Sequence, residues 1–420
     1  MKKILISITI IVIISLTIVM IFNGNIKDKN NSENQTNLFI ITSPYENVDW
    51  EYIGYYKAAL HVHTDNSTLM LGGKDDTNKQ TPEEVIEDHY SKGYDILAIT
   101  DHNVLTPSWS SIQGGLSSFR EKDINSGVGR NKRGMYQIPY GIEQSMIEHV
   151  NTYFVDYVNY QYARDNYYNK IKPYETFENK ISLIDEIQKL KGLSVINHIG
   201  RYSGGNKNLT DGKIASNNPD LIKKYTDLFM DYSSVVGMEI IHRLDLDTFS
   251  DRILWDNILM NTIPKGRFIW GFASDDRHYS YHIGWAFNMM LIDPNKLESN
   301  STDAIRKAME NGTFYAVSFV DKREGINGHI KENEEEKYYD LTNNEPPSIT
   351  KIITKDDKIT IEGSNYDLIE WIADGKKIAT GNTIDLKEYS TKINSYVRAQ
   401  LIKKDVGIAF TQPFKIERKD

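Results

Sequence analysis

Short apolar runs that end on histidine or a carboxylate recur between residues 57 and 278, with helix-like segments between them. No other feature of the chain limits its fold as strongly. The first run, KAALHVHT from Lys57 to Thr64, alternates Ala58, Leu60 and Val62 and closes on His61 and His63. Residues i and i+2 of a strand share a face, so both imidazoles leave one strand end side by side, a geometry suited to one metal ion. TPEEVIEDHYSKG follows as a predicted helix. Thr81 is its N-cap, Pro82 its first residue, Glu83 and Glu84 fill its first turn, and Gly93 stops it. His89 on that helix is expected to pack or face solvent. YDILAIT, Tyr94 to Thr100, is uninterrupted in its apolar character, as in strands covered on both faces, and it ends at Asp101 and His102.

The pattern repeats. A strand over Tyr136 to Ile142 ends at Glu143, and His149 opens HVNTYFVD. After a polar, Tyr-rich insertion, the helix ISLIDEIQKLKG leads to LSVIN and His198. A helix over Asp220 to Met230 leads to VVGMEII with Glu239, and one over Asp251 to Asn261 leads to RFIWGFAS, then Asp275, Asp276 and His278. A helix over Ala304 to Glu310 precedes the strand TFYAVSF. Strand–helix alternation predicts a parallel α/β fold. Candidate ligands at the carboxyl ends of at least five strands favour a barrel, which builds its site there. A doubly wound open sheet would gather its site at one switch point, often with a glycine-rich phosphate loop. Neither GxGxxG nor GxxxxGK[ST] occurs.

Ahead of this region, Lys2 and Lys3 precede an uncharged run from Ile4 to Phe22, long enough to cross a bilayer. The basic start places the amino end inside and the rest outside. No A-x-A-like site follows, which favours an uncleaved signal anchor over secretion after cleavage. The expected divisions are a transmembrane helix (1–22), a flexible tether (23–50), the catalytic barrel (51–327), a polar linker (328–347) and a small antiparallel β-sandwich (348–420). His329 falls in the charged linker, and Trp371 in the expected sandwich core.

Composition narrows the chemistry. A net charge of −9 argues against a nucleic-acid partner. With no cysteine in the chain, disulfides, thiolate ligands and a cysteine nucleophile are excluded, so any metal is held by His, Asp and Glu. Of ten histidines, six stand at predicted strand ends or starts: His61, His63, His102, His149, His198 and His278. Asp101, Glu143 and Asp276 share that placement. Imidazole mixed with carboxylate suits Zn²⁺, Mn²⁺ or Fe²⁺ better than Ca²⁺ or Mg²⁺. The set is too large for one tetrahedral structural zinc and points to a multinuclear catalytic site.

The ordered motifs HVHT, ITDHN, YGIEQ followed by HV, INHIGR and SDDRH resemble those of the PHP superfamily, named for polymerase and histidinol phosphatase. The resemblance covers roughly residues 55 to 320. It implies a distorted (β/α)7 barrel, TIM-like, with two or three divalent ions (Zn, Mn or Fe) in a cleft at the carboxyl ends of the strands. His61, His63, Glu143 and Asp276 would surround one metal. Glu143 would bridge to a second, held by His149 and His198. His102 and His278 would belong to a third, with Asp101 as ligand or orienting carboxylate. Asp276 is preferred over Asp275 because the family spacing is Asp-x-His. Members usually carry Asp or His five or six residues after the HxH pair, where this chain has Thr68 and Leu69, and that departure bears on the third metal.

Arg201, three residues after His198, is the first candidate for a substrate contact, with Arg243 and Arg277 behind it. Glu239 reads as a supporting carboxylate, and His242 and His282 as packing or surface residues near the cleft. The carboxyl-terminal YVRAQLIKKDVGIAFTQPFKI resembles the small β-domain of exported PHP hydrolases related to carbaryl hydrolase. Together these readings predict a membrane-anchored, extracytoplasmic metal-dependent hydrolase in which a metal-bridging hydroxide attacks the substrate. Glu143, Asp276, His278 and Arg201 would carry catalysis. The favoured substrate is a small phosphoester. A carbamate, ester or amide is the alternative, and a non-catalytic metal-containing surface module is the reading of another class.

Overall fold

Helix boundaries fall where the capping chemistry places them. In the helix Pro82–Ser91, Thr81 accepts from the Glu84 amide while the Glu84 carboxylate accepts from the Thr81 amide, a reciprocal cap. Gly93, at φ +80°, turns the chain away beyond the cap. Asn218 and Asp293, each followed by proline, open Pro219–Asp231 and Pro294–Ser299 with one-way caps, their side chains accepting from Asp220 N and Asn295 N. The remaining expected helices are Phe177–Lys189, Phe249–Thr262 and Ser301–Asn311. His89 is a packing residue: it is buried, its Nδ1 lies 2.7 Å from Val85 O, and burial pushes its pKa down to about 3.

The computed structural model describes residues 38–68, 78–145, 148–158, 177–200, 209–243, 249–319, 345–404 and 406–419. The apolar run at 4–22 and most of the expected linker lie outside them. Among the described residues no helix is long and apolar enough to cross a membrane. Phe39–Arg418 is one compact unit.

The fold is mixed α/β. Five strands form one sheet in the order Ile142–Glu143, Val150–Tyr153, Leu193–Ile196, Val235–His242 and Trp270–Ser274, the last three mutually parallel. An eleven-stranded sheet contains the parallel trio Gly54–Ala59, Ile96–Leu97 and Tyr136–Gln137. Antiparallel to Gly54–Ala59 runs Ala286–Ile292, followed by Phe314–Phe319.

Two expectations need correction here. The described strands do not close into one seven-stranded ring. On the open side of Trp270–Ser274, side-chain amides stand in for a neighbouring strand. Asn288 accepts from Ala273 N at 3.0 Å and donates to Ala273 O at 2.8 Å. Gln412 does the same for Gly271, at 2.8 and 2.9 Å. Buried peptide groups must be paired, and two amides satisfy this edge without a ladder. Nor do the carboxyl-terminal strands form a separate sandwich. Gly407–Phe410 pairs with Phe314–Phe319, and Tyr396–Lys403, Leu368–Ala373 and Phe414–Arg418 extend the same large sheet. Only Ser348–Lys355, Lys358–Ser364 and Thr383–Asp385 form a sheet of their own. A polar stretch in the sequence reports exposure of that stretch, not separation of the strands that flank it. The strand Phe314–Phe319 is wholly buried and needs a partner along its edge.

The carboxyl-terminal segment is also tied to the helix Phe249–Thr262 by a buried ion pair. Arg398 donates from Nε and Nη2 to the two carboxylate oxygens of Asp256, at 2.8 and 2.7 Å, and Tyr396 OH donates to Oδ1 at 2.6 Å.

Candidate metal centre

At their carboxyl ends the two principal sheets meet through isolated parallel bridges, His102 with Glu143 and Val62 with Arg277. These joints put the strand-end residues of both sheets within reach of one another. A cavity of about 870 Å³, lined in part by Tyr52, Trp270 and Lys296, lies elsewhere and holds none of them.

Glu143 is the hub. Its Oε2 lies 3.2, 3.3 and 2.8 Å from His61 Nε2, His63 Nε2 and His102 Nδ1. Its Oε1 lies 2.8 and 3.5 Å from His149 Nδ1 and His198 Nε2, and accepts from Asn197 Nδ2 at 2.8 Å. One carboxylate therefore faces two separate groups of imidazoles. Asp276 is divided similarly: Oδ1 lies 3.0 and 3.3 Å from Nε2 of His63 and His61, while Oδ2 lies 2.7 Å from His242 Nε2 and 3.0 Å from Arg243 Nη2. His278 approaches Asp276 Oδ1 at 3.4 Å.

Four overlapping triads have ligand atoms close enough to hold a metal ion: His61–His63–Glu143, His102–Glu143–His149, His63–His102–His278 and His198–His242–Asp276. The fit goes beyond proximity. His61 Nε2 and Glu143 Oε2 are buried without a hydrogen-bond partner, although they face each other at 3.2 Å. Buried polar atoms are nearly always paired, so two orphan atoms that each offer a lone pair to one point suit a cation between them. The electrostatics agree. Burial works against ionisation of Glu143 and Asp276, yet the surrounding imidazoles, with Arg243 beside Asp276, hold both carboxyls well below their usual range. Burial likewise opposes charge on His61, but Glu143, Glu239 and Asp276 outweigh it and hold its pKa well above normal. Burial dominates at His278 and lowers it to about 3. Several of these residues sit in backbone conformations that side chains rarely adopt: Glu148, His149, His198, Arg243 and Asp276 have φ of 47°, 45°, 25°, 58° and 41°. Such strain, of order 1–3 kcal/mol each, tends to gather where function demands it.

Supporting residues orient this shell. Glu239 places Oε1 2.7 Å from His61 Nδ1 and accepts from His198 N at 3.0 Å, which turns His61 Nε2 toward Glu143. Asp101 belongs to none of the triads. Its oxygens accept from Thr64 N, Thr64 Oγ1 and Ser67 Oγ at 2.5, 2.7 and 2.8 Å, so it braces the turn after His63 in the orienting role. Asp275 points away, accepting from Gly284 N and Tyr94 OH at 2.8 and 3.3 Å, and burial pushes it up to about 7. Arg277 is buried and donates to His63 O and to the side chains of Asn78 and Gln80, which removes it from the list of substrate contacts. Thr68 donates its amide and hydroxyl to His102 O. Arg201 and Leu69 lie outside the described residues. His282 is buried against Trp285, and its Nδ1 accepts from His278 N at 3.3 Å.

His242 is the residue that sequence reasoning misplaced. It is the last residue of Val235–His242, so the strand-end rule applied to the other histidines covers it too. Asn197, immediately before His198, went unnoticed because an amide carries no metal-ligand signature.

No protein-family model matches the chain, and no curated protein matches it. Among solved structures it is similar to a two-domain protein from Bacteroides vulgatus ATCC 8482 described as containing a predicted PHP-like metal-dependent phosphoesterase. The two share 13% identity at a TM-score of 0.40, over 89% of this chain and 88% of that one.

Proposed function

We propose that the protein is a metal-dependent hydrolase of small phosphoesters, holding two or three divalent ions on a shell of histidines and carboxylates. The observation that carries this reading is the position of Glu143, one buried carboxylate with each oxygen turned to a different set of imidazoles. A shell without thiolates, in which Glu143 can serve two ions at once, suits Zn, Mn or Fe. When bound, the ions supply Lewis-acid charge and an activated water.

The chain's own residues do the rest. His61, His63, His102, His149, His198 and His278 present ring nitrogens from converging strand ends. Glu239 and Asp101 fix the orientation of His61 and of the turn after His63. Burial around Glu143 and Asp276 excludes bulk water, and the surrounding imidazoles, with Arg243 beside Asp276, keep both carboxylates ionised against it. The ordered motifs from HVHT to SDDRH support the same reaction class, and phosphoesters are the commonest substrates of the superfamily they resemble. Placement of the site outside the cytoplasmic membrane, behind a signal anchor at residues 4–22, remains part of this reading.

The test is metal analysis of the purified protein, joined to turnover of p-nitrophenyl phosphate, bis-p-nitrophenyl phosphate and a naphthyl carbamate. Two or three bound ions with phosphoester turnover are expected. Carbamate turnover alone would transfer the reading to the ester and amide class. Metal-loaded protein inert toward all three and toward a broader ester panel would favour a non-catalytic module.

A further inference from the structure

Val235–His242 delivers a cation into the site just past its end. The Arg243 amide donates to Ser274 O at 2.7 Å, so this backbone is locked beside the strand that carries Asp276. Its φ of +58° then turns the chain out of strand geometry. Nη2 lies 3.0 Å from Asp276 Oδ2 and 3.5 Å from His278 Nδ1. Nε is buried with no hydrogen-bond partner, although the side chain keeps 28% of its surface. Nε itself is sealed from solvent, so a ligand meets the part of the side chain that stays exposed. The remaining ligand triad near it, His198–His242–Asp276, competes poorly for a metal ion, because Arg243 already places positive charge on the same Asp276 oxygen that His242 touches.

We propose that Arg243 contacts a non-bridging oxygen of the substrate's phosphoryl group through the part of its guanidinium that stays exposed, while Asp276 holds it at Nη2. Arg243 is thus a substrate-binding residue and a source of preference for anionic substrates, and this inference rests on the phosphoesterase reading above. A guanidinium fixed at Nη2 by a carboxylate holds its other N–H groups in a set direction, which suits an oxygen of phosphate.

The experiment compares the metal-loaded full chain with R243A and R243K. Metal content, p-nitrophenyl phosphate kinetics, inhibition by inorganic phosphate and rescue by guanidinium chloride are measured. R243A should keep the wild-type metal content and lose about 100-fold in kcat/KM. Its inhibition by phosphate should weaken at least about tenfold, and added guanidinium should recover part of the rate. Metal loss in step with activity, or phosphate inhibition unchanged, would overturn the proposal and leave Arg243 only positioning Asp276. Should R243A not fold, R243K decides by the same inhibition measurement, since a lysine cannot reproduce the guanidinium. A wild-type protein that neither turns over phosphoesters nor is inhibited by phosphate sinks the phosphoesterase reading itself. An active, phosphate-inhibited wild type with an indifferent R243A sinks only the role of Arg243.

Discussion

Glu143→Gln is the sharpest perturbation of the centre. The substitution preserves shape, removes one negative charge and converts one oxygen to an NH₂ that cannot coordinate. Each oxygen of Glu143 serves a different imidazole group, with His61, His63 and His102 on one side and His149 and His198 on the other. Whichever oxygen becomes nitrogen, one group loses its anionic ligand outright and the other retains only a neutral carbonyl. Loss of a supporting residue costs about 10–100-fold in metal affinity, and a bridging ligand should cost no less, so about 100-fold or about 2.7 kcal/mol is a floor. Dialysis at limiting metal followed by elemental analysis should show at least one ion fewer than wild type. Phosphoester turnover should fall by about 100-fold or more. Full metal content together with full activity in Glu143→Gln would refute the bridging role and the proposed mechanism with it.

The other predictions concern the scaffold. Asp256→Ala should destabilise the protein by about 3–5 kcal/mol, because it strands the buried Arg398 guanidinium. Denaturant unfolding measures this, and the pair matters only if Arg398→Met in the same chain recovers much of the loss. Asn288→Leu should cost about 2–6 kcal/mol, since it orphans both the N–H and the C=O of Ala273 at about 1–3 kcal/mol each; a loss under about 1 kcal/mol would mean the strand edge finds another partner. Lys57 is half-buried, with its ammonium over the rings of Tyr94 and Phe287, and loss of solvent around that group lowers its pKa to about 8. Between about pH 8 and its ordinary value near 10.5 the unfolded chain binds the extra proton, so stability contributed by this residue rises with pH across that window and is lowest below it. Lys57→Met should flatten that slope, and an unchanged slope would assign the titration elsewhere.

Much of the site was legible before any coordinates. His61 and His63 share a face by strand periodicity, and the capping box at Thr81 and Glu84 sets a helix start through contacts three residues apart. Such features are local, governed by backbone geometry over a few residues, and survive in the linear order. Ligand chemistry was equally legible, since a chain without cysteine that repeats histidine and carboxylate at strand ends has few other uses for them.

What the linear order could not show depends on contacts between residues far apart along the chain. His242 and Arg243 follow VVGMEII without any motif, and their meaning comes from Asp276, more than thirty residues on, whose second oxygen they hold. Asp101 looks like a ligand from its place beside His102, but Thr64 and Ser67 occupy its oxygens. The repeat of strands and helices pointed to a closed ring, whereas Asn288 and Gln412, from two other strands' neighbourhoods, pair with the backbone at the open edge. Periodicity tells which face of a strand is covered. Which oxygen meets which nitrogen is set by packing across the fold, because hydrogen bonds and coordination act over about 3 Å in space whatever the separation in sequence.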